Sequence, residues 1–287
     1  MGDRVCVNPS LDERHHGLEA CRPCQGGKHN LCKRWATYGF SAPGGGFSDE
    51  IVVKDINCLI LPSGVSLKVG ALAEPLAVGW HCIKTSEFKA GDNALVLGAG
   101  PIGLAILLLL RMWDANKVVI TEVTQQRTLL AQKFGADMVI NPLQKVESST
   151  SSDKEINPVV AAVQTFAKDG VDVVFDCTGL QSTLDTGLAA LRPGGTFFNV
   201  AIHEKPLSLN LNDISLTEKR LLGGICYLYS DFEEVLAAMA SHKIPFEQMI
   251  TSVVPLDDII KGGFMELLNN KAQHVKILIQ PDPTLSE

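Results

Sequence analysis

Residues 93–112 read NALVLGAGPIGLAILLLLRM, and this stretch decides the fold. Asn93–Leu97 is a short apolar run that predicts a buried strand, and Ile102–Trp113 predicts a buried helix. Between them Gly98, Gly100 and Gly103 spell G-x-G-x-x-G. In such a turn the first glycine permits the tight bend. The second lets a pyrophosphate approach the backbone, and the third lets helix and strand pack closely. The free N–H groups and positive dipole end of the helix then face the phosphates. The next requirement is an acid about 20 residues on, at the end of a second strand. Glu122 meets it, directly after Lys117–Thr121 (KVVIT). A carboxylate there accepts ribose hydroxyls and repels a 2′-phosphate, which favours NAD over NADP. Arg127, five residues further, is placed to reach the adenosine end.

Working outward, the alternation continues. A helix is predicted over Gln125–Phe134, stopped by Gly135, then strands at Met138–Ile140, Val171–Asp176 (VDVVFD) and Gly195–Val200 (GTFFNV), the last entered through a turn at Pro193–Gly195. Apolar strands alternating with helices imply a parallel sheet covered on both faces. Ser148–Asp153 (SSTSSD) reads as a polar surface loop within this unit. Residues 226–287 predict a helix at Phe232–Ser241, a strand near Met249–Val254, a helix over Leu256–Asn269 and a last strand at Val275–Ile279. Residues 1–75 differ in texture. They are rich in Gly, Pro and Cys, with short β-like runs at Val5–Val7 and Glu50–Val53. The expected division is therefore 1–75, 76–225 and 226–287.

Composition excludes several classes. With 287 residues, 46% hydrophobic and 20% charged, the chain is not intrinsically disordered. A net charge of -7 without a basic patch speaks against nucleic acid as a partner. The most apolar stretch, Ala94–Leu110, is interrupted by Gly98, Gly100, Pro101 and Gly103, so no membrane span is expected. The first residues lack the apolar core of a secretory signal, and a cytoplasmic location is the default expectation.

The cysteines are uneven. Cys21, Cys24 and Cys32 form C-x2-C-x7-C, and three thiols within twelve residues can converge on one zinc ion. A closed site needs a fourth ligand, for which His15, His16, Glu19 and Cys6 are candidates. Cys58, Cys82, Cys177 and Cys226 sit in apolar surroundings and read as small core residues.

Several segments together resemble the zinc-containing medium-chain dehydrogenases, in their (R,R)-butanediol and sorbitol dehydrogenase branch. They are Gly2–Val5 (GDRV), the cysteine loop, Gly44–Phe47 (GGGF), Ala73–Val78 (AEPLAV), the glycine fingerprint, Asp176–Gly179 (DCTG) and Leu191–Gly195 (LRPGG). The resemblance spans nearly the whole chain. It implies an α/β fold in which a Rossmann doubly wound parallel sheet is inserted into a GroES-like β-barrel domain. It implies zinc-dependent, reversible hydride transfer between NAD and a secondary alcohol or vicinal diol of the butanediol–acetoin kind, one structural and one catalytic zinc, and a homo-oligomer built through the edge of the Rossmann sheet near Leu221–Tyr227. Gly98, Gly100, Ile102, Gly103, Glu122, Arg127 and Thr178 are the implied cofactor contacts, and Glu74 the implied acid at or beside the catalytic metal.

Two departures accompany the resemblance. The family's structural lobe carries one more cysteine, whose place is held here by Leu18. Its catalytic Cys and Gly-His-Glu segment precede the GDRV motif, which here starts at Gly2. The expected barrel is therefore incomplete, and Glu74 alone cannot hold a catalytic zinc, which takes about three protein ligands. A NAD-binding remnant or subunit without the catalytic zinc is the alternative reading.

Overall fold

A computed structural model of the chain describes residues 2–144 and 157–282. The chain forms two compact units: residues 79–224 make one, and the segments before and after them make the other.

The first segment holds four short strands: β1 (Val5–Val7), β2 (Ser10–Leu11), β3 (Ala36–Thr37) and β4 (Cys58–Ile60). β1 pairs with β4 and β2 with β3, both antiparallel. Short helices at Glu13–His16 and Arg22–Gln25 lie between β2 and β3. The predicted strand at Glu50–Val53 is absent. Those residues are irregular and Val52 is 94% exposed, because no described strand runs alongside to satisfy their backbone groups. A helix over Ala73–Thr85 then leads out of this segment.

The 79–224 unit is a six-stranded, all-parallel sheet. Its strands are β5 (Asn93–Leu97), β6 (Lys117–Thr121), β7 (Met138–Ile140), β8 (Val171–Asp176), β9 (Leu191–Asn199) and β10 (Arg220–Gly223), in the order β7-β6-β5-β8-β9-β10. The order reverses at β5, with β6 on one side and β8 on the other, which is the doubly wound Rossmann arrangement. Ala94 to Leu97 are buried because the central strand is covered on both faces. The helix Pro101–Met112 buries every residue from Gly103 to Leu110, as its unbroken apolar sequence requires. On one side Leu95, Leu97, Val119, Val174 and Phe197 pack with Val159, Val163, Leu184 and Leu188.

The sequence suggested a turn at Pro193–Gly195, but β9 begins at Leu191 and runs through it. Its register against β8 slips from Val171 opposite Leu191 to Val173 opposite Thr196, and Gly194 at φ +70 lies within the slip. The glycines there make an irregularity inside a strand, not its entry. β10 is shorter than the Leu221–Tyr227 segment: the chain leaves the sheet after Gly223, and Cys226 takes φ +54. The loop Ser148–Asp153 lies outside the described residues.

The closing segment has a helix Tyr229–Ala240 and two parallel strands, β11 (Ile250–Pro255) and β12 (Lys276–Gln280). The helix expected over Leu256–Asn269 forms as consecutive turns of different winding. A 3-10 turn leads into a π segment at Ile259–Met265 and ends in one α turn. Gly262 lies in that segment, and a Cβ there would come within 2.8 Å of Asp258 Oδ2 and 2.9 Å of Val254 Cγ1. Among the described residues no helix is long and apolar enough to cross a membrane.

Candidate functional site

The glycine turn sits at the carboxyl end of β5, beside the point where strand order reverses, the usual place for a ligand in such sheets. Gly98 has φ +96, and a Cβ on it would lie 2.5 Å from Thr178 Cγ2. Gly103 is tighter still: its Cβ would lie 1.9 Å from the Gly98 carbonyl oxygen. Both glycines are therefore demanded by the protein's own packing. Gly100 is not. A Cβ there meets nothing within 4 Å, so its bare backbone, at the N-cap of helix Pro101–Met112, faces open space. This is a cradle that a side chain would fill, and it fits a pyrophosphate.

The turn is held from the neighbouring strand. Gly98 N–H donates to Thr121 Oγ1 at 3.0 Å, and Ala99 N–H to Glu122 Oε2 at 3.3 Å. Glu122 Oε1 accepts from Val123 and Thr124 N–H, both at 2.8 Å. The buried carboxylate thus has three backbone donors, and a carboxylate has about four acceptor positions, so capacity for a ribose hydroxyl remains. On the other side, buried Asp176 Oδ1 accepts from Thr178 N–H at 2.9 Å, Thr178 Oγ1 at 2.7 Å and Gly179 N–H at 3.2 Å. Asp176 thereby fixes the loop whose Thr178 touches Gly98, leaving Thr178 itself exposed. Ile102 and Arg127 are half-buried. Sequence reasoning missed the supporting roles of Thr121 and Asp176; each is the last residue of its strand, which is the available signal.

The second constellation lies in the other unit. Cys21, Cys24 and Cys32 come together with Glu13, and one donor atom from each lies within 4.8 Å of all the others. A tetrahedral zinc with Zn–S bonds of about 2.3 Å needs donors roughly 3.8 Å apart, so the set fits that ion in geometry as in chemistry. Cys24, Cys32 and Glu13 are buried. Backbone N–H groups of Lys33 and Cys24 pull the Cys21 thiol below its ordinary pKa. Burial, together with Cys21 and Cys32 nearby, pushes the Cys24 thiol up, a proton that a bound cation would displace. The Cys21 N–H and, further down, the Arg34 charge hold Glu13 below the usual carboxylate range.

The fourth donor that the structure brings to the three cysteines is Glu13, not one of the four candidates expected from the sequence. His15 is committed elsewhere, with Nδ1 accepting from Asp12 N–H at 2.9 Å and Nε2 3.0 Å from Asn57 Oδ1. His16 and Glu19 are exposed, and Cys6 Sγ donates to Gly70 O at 3.2 Å, its thiol pushed up to about 12 by burial. Glu13 lies eight residues before Cys21, too far for a local spacing rule. Only the turn Glu13–His16, closed by Gly17 at φ +63, folds it back.

Glu74 stands in the first turn of helix Ala73–Thr85, half-buried. Burial raises its pKa, partly offset by the charge of Lys276 and a hydrogen bond from Tyr227. The adjacent Cys226 thiol is pushed up to about 11 by burial and then by Glu74. Among the described residues the Glu13–cysteine group is the one cluster of three or more candidate metal ligands, so Glu74 has no second and third ligand beside it. The set around Glu74 does not fit a catalytic zinc. His81 and Cys82, further along the helix, are buried core residues. Cys58, Cys177 and Cys226 are only half-buried, unlike the core positions expected of them.

The chain is similar to known proteins over nearly its whole length. The sequence pattern of the family described as "Zinc-binding dehydrogenase" matches residues 101–241, and that of "Alcohol dehydrogenase GroES-like domain" matches residues 1–63. The (R,R)-butanediol dehydrogenase of Saccharomyces cerevisiae is 38% identical over 295 residues, covering 98% of this chain and 75% of the relative. A probable (R)-acetoin-forming diacetyl reductase of the same yeast is 35% identical, covering 98% and 69%. The crystal structure of 2R,3R-butanediol dehydrogenase from Bacillus subtilis superposes with a TM-score of 0.84 at 32% identity, covering 98% of this chain and 75% of that one.

Proposed function

The chain belongs to the zinc-binding alcohol dehydrogenases, and from that membership we propose that it moves a hydride between NAD and a secondary alcohol or vicinal diol of the butanediol–acetoin type. The observation that carries the cofactor half is Gly100, whose open backbone lies in the same turn that Glu122 holds through Ala99. Bound there, NAD supplies the hydride chemistry, and the protein's part is to bind and orient it. Gly98, Gly100, Ile102 and Gly103 seat the pyrophosphate on the helix N-terminus. Glu122 takes the ribose hydroxyls and disfavours a 2′-phosphate. Arg127 and Thr178 line the adenosine and nicotinamide sides. In this reading residues 76–225 are the cofactor domain, and 1–75 with 226–287 the catalytic domain.

Glu13, Cys21, Cys24 and Cys32 hold a structural zinc that pins the loop between β2 and β3. Glu74 is the carboxylate at the reacting end. Its raised pKa, set by burial, suits it to hold a proton, and Lys276 and Tyr227 beside it favour the ionised form once the proton leaves. No step is assigned to a catalytic zinc, since Glu74 lacks companion ligands among the described residues. The alternative reading is a NAD-binding subunit without the catalytic metal. The remaining expectations are a small alcohol or ketone substrate, a cytoplasmic location and a homo-oligomer through the open edge of β10.

The deciding experiment combines elemental analysis, NADH fluorescence titration and acetoin reduction on the purified chain. Two zincs per chain with turnover support the dehydrogenase reading. One zinc with NADH binding and no turnover selects the subunit reading. Absence of NADH binding removes both.

A further inference from the structure

Glu13 is a buried carboxylate among three sulfurs, and both of its oxygens are already tethered. Oε2 accepts from Cys21 N–H at 2.6 Å, and Oε1 accepts from Arg34 Nη1 at 3.1 Å. Arg34 also donates its backbone N–H to Cys32 Sγ at 3.3 Å. One residue therefore addresses two of the four metal donors, from a position two residues beyond the last cysteine. We propose that Arg34 is a positioning residue of the metal site: its guanidinium holds Glu13 as a fixed carboxylate ligand beside the three thiolates. The inference rests on the zinc reading of this cluster.

Three physical points support it. Zinc prefers thiolate to carboxylate, so Glu13 is the weakest member of the set and gains most from being oriented in advance. A glutamate side chain has three rotatable bonds, and two tethers remove the freedom that metal binding would otherwise have to freeze. Finally, three thiolates and one carboxylate around a divalent ion leave a net charge of about −2. An arginine, charged at every relevant pH, halves it from outside the coordination shell. Each carboxylate oxygen has a second lone pair, so the arginine and the metal do not compete for one site. Loss of such an outer partner typically costs about 10- to 100-fold in metal affinity.

The test uses the full chain, with zinc affinity measured by competition against a chromophoric chelator and the ligand set read from the absorption of the cobalt-substituted protein. Arg34→Ala is expected to weaken zinc about tenfold or more, with Arg34→Lys recovering part of the loss. Glu13→Cys offers a fourth sulfur that needs no such orientation, so in that background Arg34→Ala is expected to cost several-fold less than in the unmodified chain, the remainder being the arginine's charge alone. Glu13 and Arg34 lie outside the 79–224 unit, so circular dichroism and the urea midpoint of each variant, rather than NADH binding, verify that it is folded. If Arg34→Ala costs as much beside Glu13→Cys as in the unmodified chain, the arginine acts as a diffuse charge and the proposal falls. It also falls if Arg34→Ala is neutral while Glu13→Gln weakens zinc and shifts the cobalt spectrum. If Glu13→Gln changes neither, the zinc-ligand reading of Glu13 is the part that fails.

Discussion

Gly100 and Gly103 sit three residues apart in one turn and answer to different constraints. Gly103→Ala places a methyl 1.9 Å from the Gly98 carbonyl, so it is expected to destabilise the 79–224 unit by at least about 1–3 kcal/mol, the usual cost of overpacking. Gly100→Ala meets no protein atom and has φ −73, which alanine adopts freely. Its stability is expected to stay within about 0.5 kcal/mol of the parent while NADH affinity falls about tenfold. Denaturant titration and NADH fluorescence on both variants separate the two effects. The fingerprint made both glycines legible in the sequence, but not which one serves the fold and which the ligand. Glu13 shows the opposite limit. Nothing in its local sequence marks it as a ligand, since its partners lie eight or more residues away and the chain must double back to present it.

At the scale of elements, Asp137 joins neighbouring strands. Its N–H donates to Val118 O and its Oδ2 accepts from Val118 N–H at 2.8 Å, while Oδ1 accepts from Lys117 Nζ at 3.0 Å and Arg111 closes an ion pair on it. Burial alone would raise its pKa, but the Val118 N–H and the two cations outweigh that and lower it. The folded pKa is thus below the unfolded one. The stability it contributes is present above the ordinary carboxylate range and is lost as pH falls through the folded value. Asp137→Asn is expected to cost about 1 kcal/mol at pH 7 and markedly less at pH 3, read from urea midpoints at both. The elements that sequence reasoning misplaced share a cause. Glu50–Val53 has β-type residues but no described partner strand, and Leu191–Gly195 has turn residues but a partner strand beside it. Pairing, which is non-local, overrode composition in both cases.

At the scale of the whole molecule, the metal cluster and the glycine turn belong to different compact units. Stripping metal with a strong chelator is therefore expected to expose the 12–34 loop to protease and lower the melting temperature, while NADH affinity stays within about twofold. Limited proteolysis beside fluorescence titration checks it, and loss of NADH binding on chelation would contradict the separation. The sequence by itself determined the Rossmann sheet, because buried strands, a glycine turn and an acid at the end of the second strand are all local patterns that one neighbourhood enforces. It also determined three of the four donors of the metal cluster, which lie within twelve residues of one another. Only the tertiary structure decided that Glu13 is the fourth, that Asp176 and Thr121 brace the cofactor turn, and that Glu74 stands beside Tyr227 and Lys276 without companion ligands. Those are meetings of residues far apart in the chain. What brings them together is strand pairing, packing and, for Glu13, a turn that reverses the chain at Gly17, and no spacing rule in a short window of sequence encodes those meetings.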